Sequence, residues 1–197
     1  MKGKFIVFEG IDGAGLTTQS TLLENYLKKK GFATLLTKEP TSGLIGGLIR
    51  AALKKEWKTT NEVLQLLFSA DRAHHLNEEI IPALKEGKIV ISDRYFLSTI
   101  AYGMVEIEEN WLKIINSKFL LPDIIIILDV PPEISIERIK LSRFGFEIFE
   151  EREKLEKIRK NFLKLSKEYK NCYVVDASKS IEEVHKEVVD IVERFLK

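Results

Sequence analysis

The stretch FEGIDGAGLTTQ, residues 8–19, constrains this chain more than any other. It continues an apolar run, KFIVFEG, and opens a helical pattern, TTQSTLLENYLKKKG. Gly10, Gly15 and Thr17 stand where the pattern G-x-x-x-x-G-K-[ST] requires them, with Leu16 at the lysine position. A strand that turns through glycines into a helix points successive backbone N–H groups, and the helix N-terminus, at an anion. Gly10, Gly13 and Gly15 let that backbone approach a ligand with no Cβ in the way. Ile11, Asp12, Ala14 and Thr18 complete the candidate phosphate loop, and Thr17 offers a hydroxyl to Mg²⁺. The competing reading is a glycine-rich turn that binds nothing, because the absent lysine is the side chain that neutralises the β- and γ-phosphates.

The rest of the chain fits such a loop. FATLLTKEP, KIVISDRY, PDIIIILDVPP and CYVVDA read as four further strands, and the unbroken apolar run at 124–128 suits a strand buried on both faces. GLIGGLIRAALKKE, PEISIERIKLSR, EEREKLEKIRKNFLKLSKEYKN and SIEEVHKEVVDIVERFLK read as helices between them. A long helix is expected over about 60–86, capped by Thr60 or Asn61, ended by Gly87 and kinked at Pro82. Strand–helix alternation argues an α/β domain with a mostly parallel sheet. Its polar clusters, EGIDGAG, TKEPTSG, SDRY, LDVPPE and DASKS, follow the strand ends, where ligands bind in such folds.

Composition narrows the function classes. The 197 residues favour one domain, 1–197, and 45% hydrophobic content supports a substantial core. A net charge of +1 gives no footprint for nucleic acid or an anionic membrane. The single cysteine, Cys172, excludes an intramolecular disulfide and reads as a core-facing strand residue. With no signal-peptide pattern and no apolar run of membrane-spanning length, the expectation is a cytoplasmic protein. Abundant Lys, Glu and Ile lean toward a thermophilic source.

Five stretches, FEGIDGAGLTTQ, KEPTSGLIGGLIR, LLFSADRAHHL, SDRYFLSTIAYG and LDVPPE, resemble the thymidylate kinase family in order and spacing. The resemblance implies an α/β fold: a P-loop kinase core with a five-stranded parallel sheet, flanking helices and a short lid. It implies transfer of the γ-phosphate of ATP to dTMP with Mg²⁺, and a homodimer. Phe68 then falls at the position that stacks on the pyrimidine, Arg72 at the base carbonyl, Thr99 at the N3 edge, and Tyr102 against the sugar 2′ position, with Ser98 beside them. Arg50 and Arg94 match the arginines that approach the dTMP phosphate. Asp93 organises Mg²⁺ and orients Arg94, Asp12 reaches the metal or the sugar, and Glu39 with Pro40 shapes the acceptor side. Asp71 anchors neighbouring structure. The family's AYQG appears here as AYG, so its glutamine is missing at Gly103. The lid is expected over 141–151, with Arg143 as the catalytic cation, Arg138 as the second candidate, Arg152 as a weaker one, and Phe149 closing over the nucleoside. Ser178 or Ser180 is expected beside adenine. For His74 and His75 a surface or packing role is favoured, and His185 has no evident partner. Two other readings stay open: a kinase for another (deoxy)nucleoside monophosphate, and a catalytically silent nucleotide binder that lost its lysine.

Overall fold

A computed structural model describes residues 3–142 and 148–196. Five strands, β1 (Lys4–Glu9), β2 (Thr34–Lys38), β3 (Ile89–Asp93), β4 (Ile124–Asp129) and β5 (Cys172–Asp176), pair in the order β2-β3-β1-β4-β5. Every pairing is parallel, with Phe8 opposite Asp93 and Ile6 opposite Ile124. The α/β expectation therefore holds. β1 occupies the middle, and Phe5, Ile6, Val7, Phe8 and Ile124 to Ile127 are almost wholly buried, as strands covered on both faces must be. Cys172 is half-buried against that core at an edge strand, and burial pushes its thiol pKa up to about 12.

Helices fill the crossovers: α1 (Leu16–Lys29), α2 (Leu44–Leu53), α3 (Asn61–His75), α4 (Ile81–Lys85), α5 (Phe96–Gly103), α6 (Glu109–Asn116), α7 (Pro132–Ser142), α8 (Ile148–Ser166) and α9 (Ile181–Leu196). Thr60 caps α3 by accepting from Val63 N–H at 3.3 Å. The expected long helix runs without a gap from Asn61 to Lys85, but it is not a regular α-helix throughout. A π-helical turn, Leu76–Ile80, separates α3 from α4. Pro82, in the first turn of α4, has no N–H for the carbonyl four residues back, and its ring would strike that carbonyl in a regular helix. Sequence reading did not resolve α5 or α6. Glu108 starts α6 by accepting from the amides of Asn110 and Trp111.

This arrangement gathers the ends of β1, β2 and β3 on one rim. Glu9, Lys38 and Asp93 close those strands. The loop between β1 and α1 thus rises from the centre of the sheet, beside the last residue of β3.

Candidate active site

Gly10 (φ 153°), Gly13 (φ 75°) and Gly15 (φ 94°) all hold positive φ, and Gly15 starts α1. A side chain at Gly13 would put its Cβ 2.6 Å from the carbonyl oxygen of Ser135. The loop is braced from outside itself: Ser135 Oγ donates to the Asp12 carbonyl at 2.5 Å, and Asp12 N–H donates to Tyr102 Oη at 3.0 Å. The first i→i−4 bond of α1 runs from Gln19 N–H to Gly15, so the Leu16, Thr17 and Thr18 amides precede the helical ladder. Thr17 and Thr18 are exposed there.

Leu16 does not stand idle in this loop. It is 6% exposed and joins the hydrophobic core, with Cδ2 3.4 Å from where a Gly10 Cβ would lie. The position that the pattern gives to a cation is used here for packing.

Thr17 Oγ1 donates to Asp93 Oδ2 at 2.5 Å. A hydroxyl and a carboxylate side by side are hard oxygen donors of the kind Mg²⁺ takes, and that ion commonly uses only one or two protein ligands beside phosphate and water. The residues present fit it. A cavity of about 380 Å³ opens beside this pair, lined also by Thr37, Lys38 and Glu79.

Arg94 (φ 73°) follows Asp93 in a backbone region that few non-glycine residues adopt. Its guanidinium donates to the Gly10 carbonyl (2.8 Å), Ser98 Oγ (3.0 Å) and Asp12 Oδ1 (2.7 Å), and lies 5.5 Å from the Tyr102 ring centre. Burial pulls its pKa down, but Tyr102, Asp12, Asp93 and Glu9 together hold it above the ordinary arginine value. It is a permanent cation against the phosphate loop.

A second cavity, about 220 Å³, ends at Arg94 and Asp12, with Phe68, Ser98, Thr99 and Tyr102 in its wall. Pro40 lines it too, so the structure brings seven of the expected residues together. Arg72 takes a different place. It is 1% exposed, donates to Asn116 Oδ1 (2.5 Å) and Thr99 Oγ1 (3.0 Å), and among the described residues its Nε has no hydrogen-bond partner. Glu39 Oε2 is 2.7 Å from Arg72 Nη2 but outside hydrogen-bond geometry, so that contact is ionic rather than directional. Arg50 lies at the 40–43 turn, donating to the Thr41 carbonyl, and does not line the cavity. Asp71 holds the same turn through the Thr41 amide and hydroxyl, both at 2.7 Å, as an anchoring role requires.

His75 departs from its expected bland role, whereas His74 is exposed. His75 Nδ1 meets Glu39 Oε1 at 3.1 Å, and Nε2 meets Glu79 Oε2 at 2.9 Å. Burial lowers its pKa, but the hydrogen bond and charge of Glu39, with Glu79, more than offset this and raise it. Helical spacing could reveal Glu79, four residues on, but not Glu39, which follows β2. Sequence reading also passed over Gln65. Its side chain is buried in the cavity wall with Oε1 unpartnered, and a Cβ at Gly103 would lie 3.4 Å from its Cδ. A carboxamide from α3 therefore lies beside Gly103, the position at which the resemblance expects a glutamine. Its signal was available: a glutamine three residues before Phe68, on the inward side of a helix.

On the far side of the loop, Arg138 donates to the carbonyls of Gly13 (3.5 Å) and Ala177 (2.9 Å), tying the segment after β5 to the loop. Ser178 caps onto Asp176, and Ser180 forms a capping box with Glu183. Arg152 is engaged by Glu133. His185 Nδ1 has no hydrogen-bond partner among the described residues, and its ring meets Tyr26 edge to face. Arg143 lies outside the described residues, and the Phe149 side chain likewise.

A glycine loop at the end of the central strand, a hydroxyl–carboxylate pair and a cavity with an arginine in its wall share one rim of the sheet. Such a site presents a phosphate donor to a phosphate-bearing acceptor, and with this sheet it defines a P-loop kinase. The chain belongs to the thymidylate kinase family, whose sequence model matches residues 8–188. It is 44% identical to a probable thymidylate kinase of Pyrococcus horikoshii, over 100% of this chain and 98% of the relative. It is 43% identical to probable thymidylate kinase 1 of Saccharolobus solfataricus (98% of each chain). It is 38% identical to a thymidylate kinase of Caldicellulosiruptor saccharolyticus (100% and 99%). Among the described residues, no helix is long and apolar enough to cross a membrane.

Proposed function

We propose that this protein transfers the γ-phosphate of ATP to the phosphate of dTMP, giving dTDP and ADP. One observation carries the reading: the aromatic cavity of Phe68 and Tyr102 ends on Arg94, and Arg94 is bonded to the phosphate loop through Gly10 and Asp12. A nucleotide whose base lies between those rings has its phosphate at the donor's side. Gly10 to Thr18 hold the ATP phosphates by backbone amides, and Arg94 receives the acceptor phosphate. In the reaction an acceptor phosphate oxygen bonds to the γ-phosphorus, and the bond to the β–γ bridging oxygen breaks, leaving ADP.

Thr17 and Asp93 would hold Mg²⁺, which when bound supplies positive charge to the transferred group. Phe68 stacks on the base and Tyr102 crowds the sugar. Thr99 and Ser98 offer hydroxyls, and Glu39 fixes Arg72 toward the base side of the wall. Arg50, which holds the 40–43 turn through the Thr41 carbonyl, is the second arginine for the acceptor phosphate. Residues 1–197 act as one kinase domain. Arg143, from the expected lid at 141–151 and outside the described residues, is the cation assigned to the γ-phosphate in place of a lysine at Leu16, with Arg138 second.

The homodimer reading has a surface to use. α2 and α3 pack together and leave Leu44 (83%), Leu48 (47%), Leu53 (55%) and Leu66 (48%) exposed. A monomeric mass by light scattering at micromolar concentration would contradict it.

ADP release, measured with ATP, Mg²⁺ and a panel of monophosphates, tests the activity. Turnover should be best with dTMP and somewhat lower with dUMP, since a lost methyl contact is worth ~1–3 kcal/mol. Faster turnover of CMP or AMP would sink the assignment. Nucleotide binding without transfer to any monophosphate would establish the silent binder instead.

A further inference from the structure

Glu9 closes β1 one residue before the phosphate loop, and it is fully buried. Its Oε1 accepts from Tyr95 N–H at 3.0 Å, and its Oε2 accepts from Ser98 Oγ at 2.5 Å. Ser98 Oγ in turn accepts from Arg94 Nη1 at 3.0 Å. One carboxyl therefore pins the residue that follows the strained Arg94 and, through a hydroxyl, aims the Arg94 guanidinium. We propose that Glu9 is the positioning residue of the acceptor-phosphate clamp, and that it takes up a proton from solvent when a phosphate dianion docks at Arg94. The proposal rests on the reading that Arg94 receives the acceptor phosphate.

Charge around Arg94 carries the argument. Three carboxylates, Glu9, Asp12 and Asp93, act on that single guanidinium. A dianion arriving there is repelled unless some of that negative charge is relieved. Asp12 is 59% exposed and screened by water, and Asp93 is tied to Thr17. Glu9 is sealed in the core, where the ionised form is costly and the neutral form is not. The other groups facing it are Arg72 from α3 and Cys172 from β5. Arg72 is already committed to Glu39, and Cys172 is a neutral thiol.

Ser98 supplies the route and the mechanical link. It is half-buried in the cavity wall, so it joins the sealed carboxyl to the space where the phosphate arrives. With Glu9 ionised, the Ser98 hydroxyl hydrogen is spent on Oε2. With Glu9 protonated, Oε2–H donates to Ser98 Oγ, and the serine hydrogen is released to point at the incoming phosphate. One proton enters from solvent, no covalent bond of the chain breaks, and Arg94 keeps its contact with Ser98. Burial already raises the Glu9 pKa to about 7, against the lowering pull of Ser98, Arg94 and Arg72. A docked dianion raises it further.

Titration calorimetry of the full chain tests this, at pH 8 in two buffers of different ionisation enthalpy, without ATP. At that pH the dTMP phosphate is fully dianionic, its second pKa being about 6. Wild-type protein should take up a substantial fraction of a proton per dTMP bound and none per thymidine. Its dTMP affinity should fall as pH rises from about 7 to 9, approaching tenfold per pH unit at the steepest for one linked proton. Glu9→Gln keeps the shape in a permanently neutral form, and should abolish both the uptake and the pH slope. No uptake by the wild type, or uptake that survives Glu9→Gln, overturns the proposal. Arg94→Ala separates the two readings. If that variant still prefers dTMP over thymidine, the Arg94 clamp itself is misplaced. If it loses the preference while the wild type takes up no proton, the clamp stands and the Glu9 proposal alone falls.

Discussion

Thr17 Oγ1 and Asp93 Oδ2, 2.5 Å apart, join the first turn of α1 to the end of β3. They lie 76 residues apart in the chain, yet together they offer the oxygen pair that would hold the Mg²⁺ of the proposed transfer. Asp93→Asn and Thr17→Val should each lower kcat by roughly 10²–10³, the usual loss when one preorganised charge-stabilising group goes. An Mg²⁺ titration checks this. Both variants should need more metal, and an unchanged metal requirement would place the ion elsewhere.

Leu16 should be separable from the other loop residues by opposite effects on two measurements. Leu16→Lys removes a buried leucine, at about 1–3 kcal/mol of stability, while its ammonium can snorkel toward the phosphates. The expected outcome is a lower Tm with turnover raised by up to ~10²–10³. The variant should also tolerate Arg143→Ala better than the natural sequence does. If Arg143→Ala is silent in the natural background, the lid arginine does not compensate for Leu16.

His75 predicts a pH dependence of stability. Its pKa is raised above 6.5 in the folded state, so its contribution is complete below about pH 6.5 and is lost as pH climbs through the raised value. Thermal melts from pH 6 to 9 should show the wild type losing stability relative to His75→Gln across that interval. Parallel curves would show that the Glu39–His75–Glu79 link carries no charge-dependent stability.

The base cavity predicts selective losses. Phe68→Ala should weaken dTMP binding by roughly 1–3 kcal/mol, as lost base stacking does elsewhere, and leave ATP binding intact. Gln65→Leu should raise the KM for dTMP more than it lowers kcat, since the carboxamide touches the base side only. Equal losses for ATP and dTMP would mean that both variants merely loosen α3.

Arg94→Ala should nearly abolish turnover, since it removes a charge-assisted, planar contact to the acceptor phosphate. Near-normal turnover would refute the clamp.

Much of this molecule was legible where signals are local. Unbroken apolar runs gave β1 and β4, and Thr60 marked the start of α3. Glycine spacing located the phosphate loop. What escaped was long-range. Glu9 meets Tyr95 and Ser98 across separations of 86 and 89 residues, so nothing near Glu9 could announce its partners. Leu16 read as an absence of charge because a pattern compares side chains with an expected ligand. Its burial depends on α1 closing against the sheet. The π-helical turn escaped for another reason: Pro82 signals a disturbance but not whether the helix kinks or widens.

The place of β1 has a consequence in time. The strand at the middle of the sheet is the first to be synthesised, whereas its neighbours begin at Ile89 and Ile124. Synthesis runs at about 5–20 residues per second, so β1 waits several seconds for either partner to emerge. During that wait FIVF is an unpaired, strongly apolar strand with both edges open. The order of the strands thus makes the central one wait for two partners made later, and FIVF has to be shielded until both have emerged.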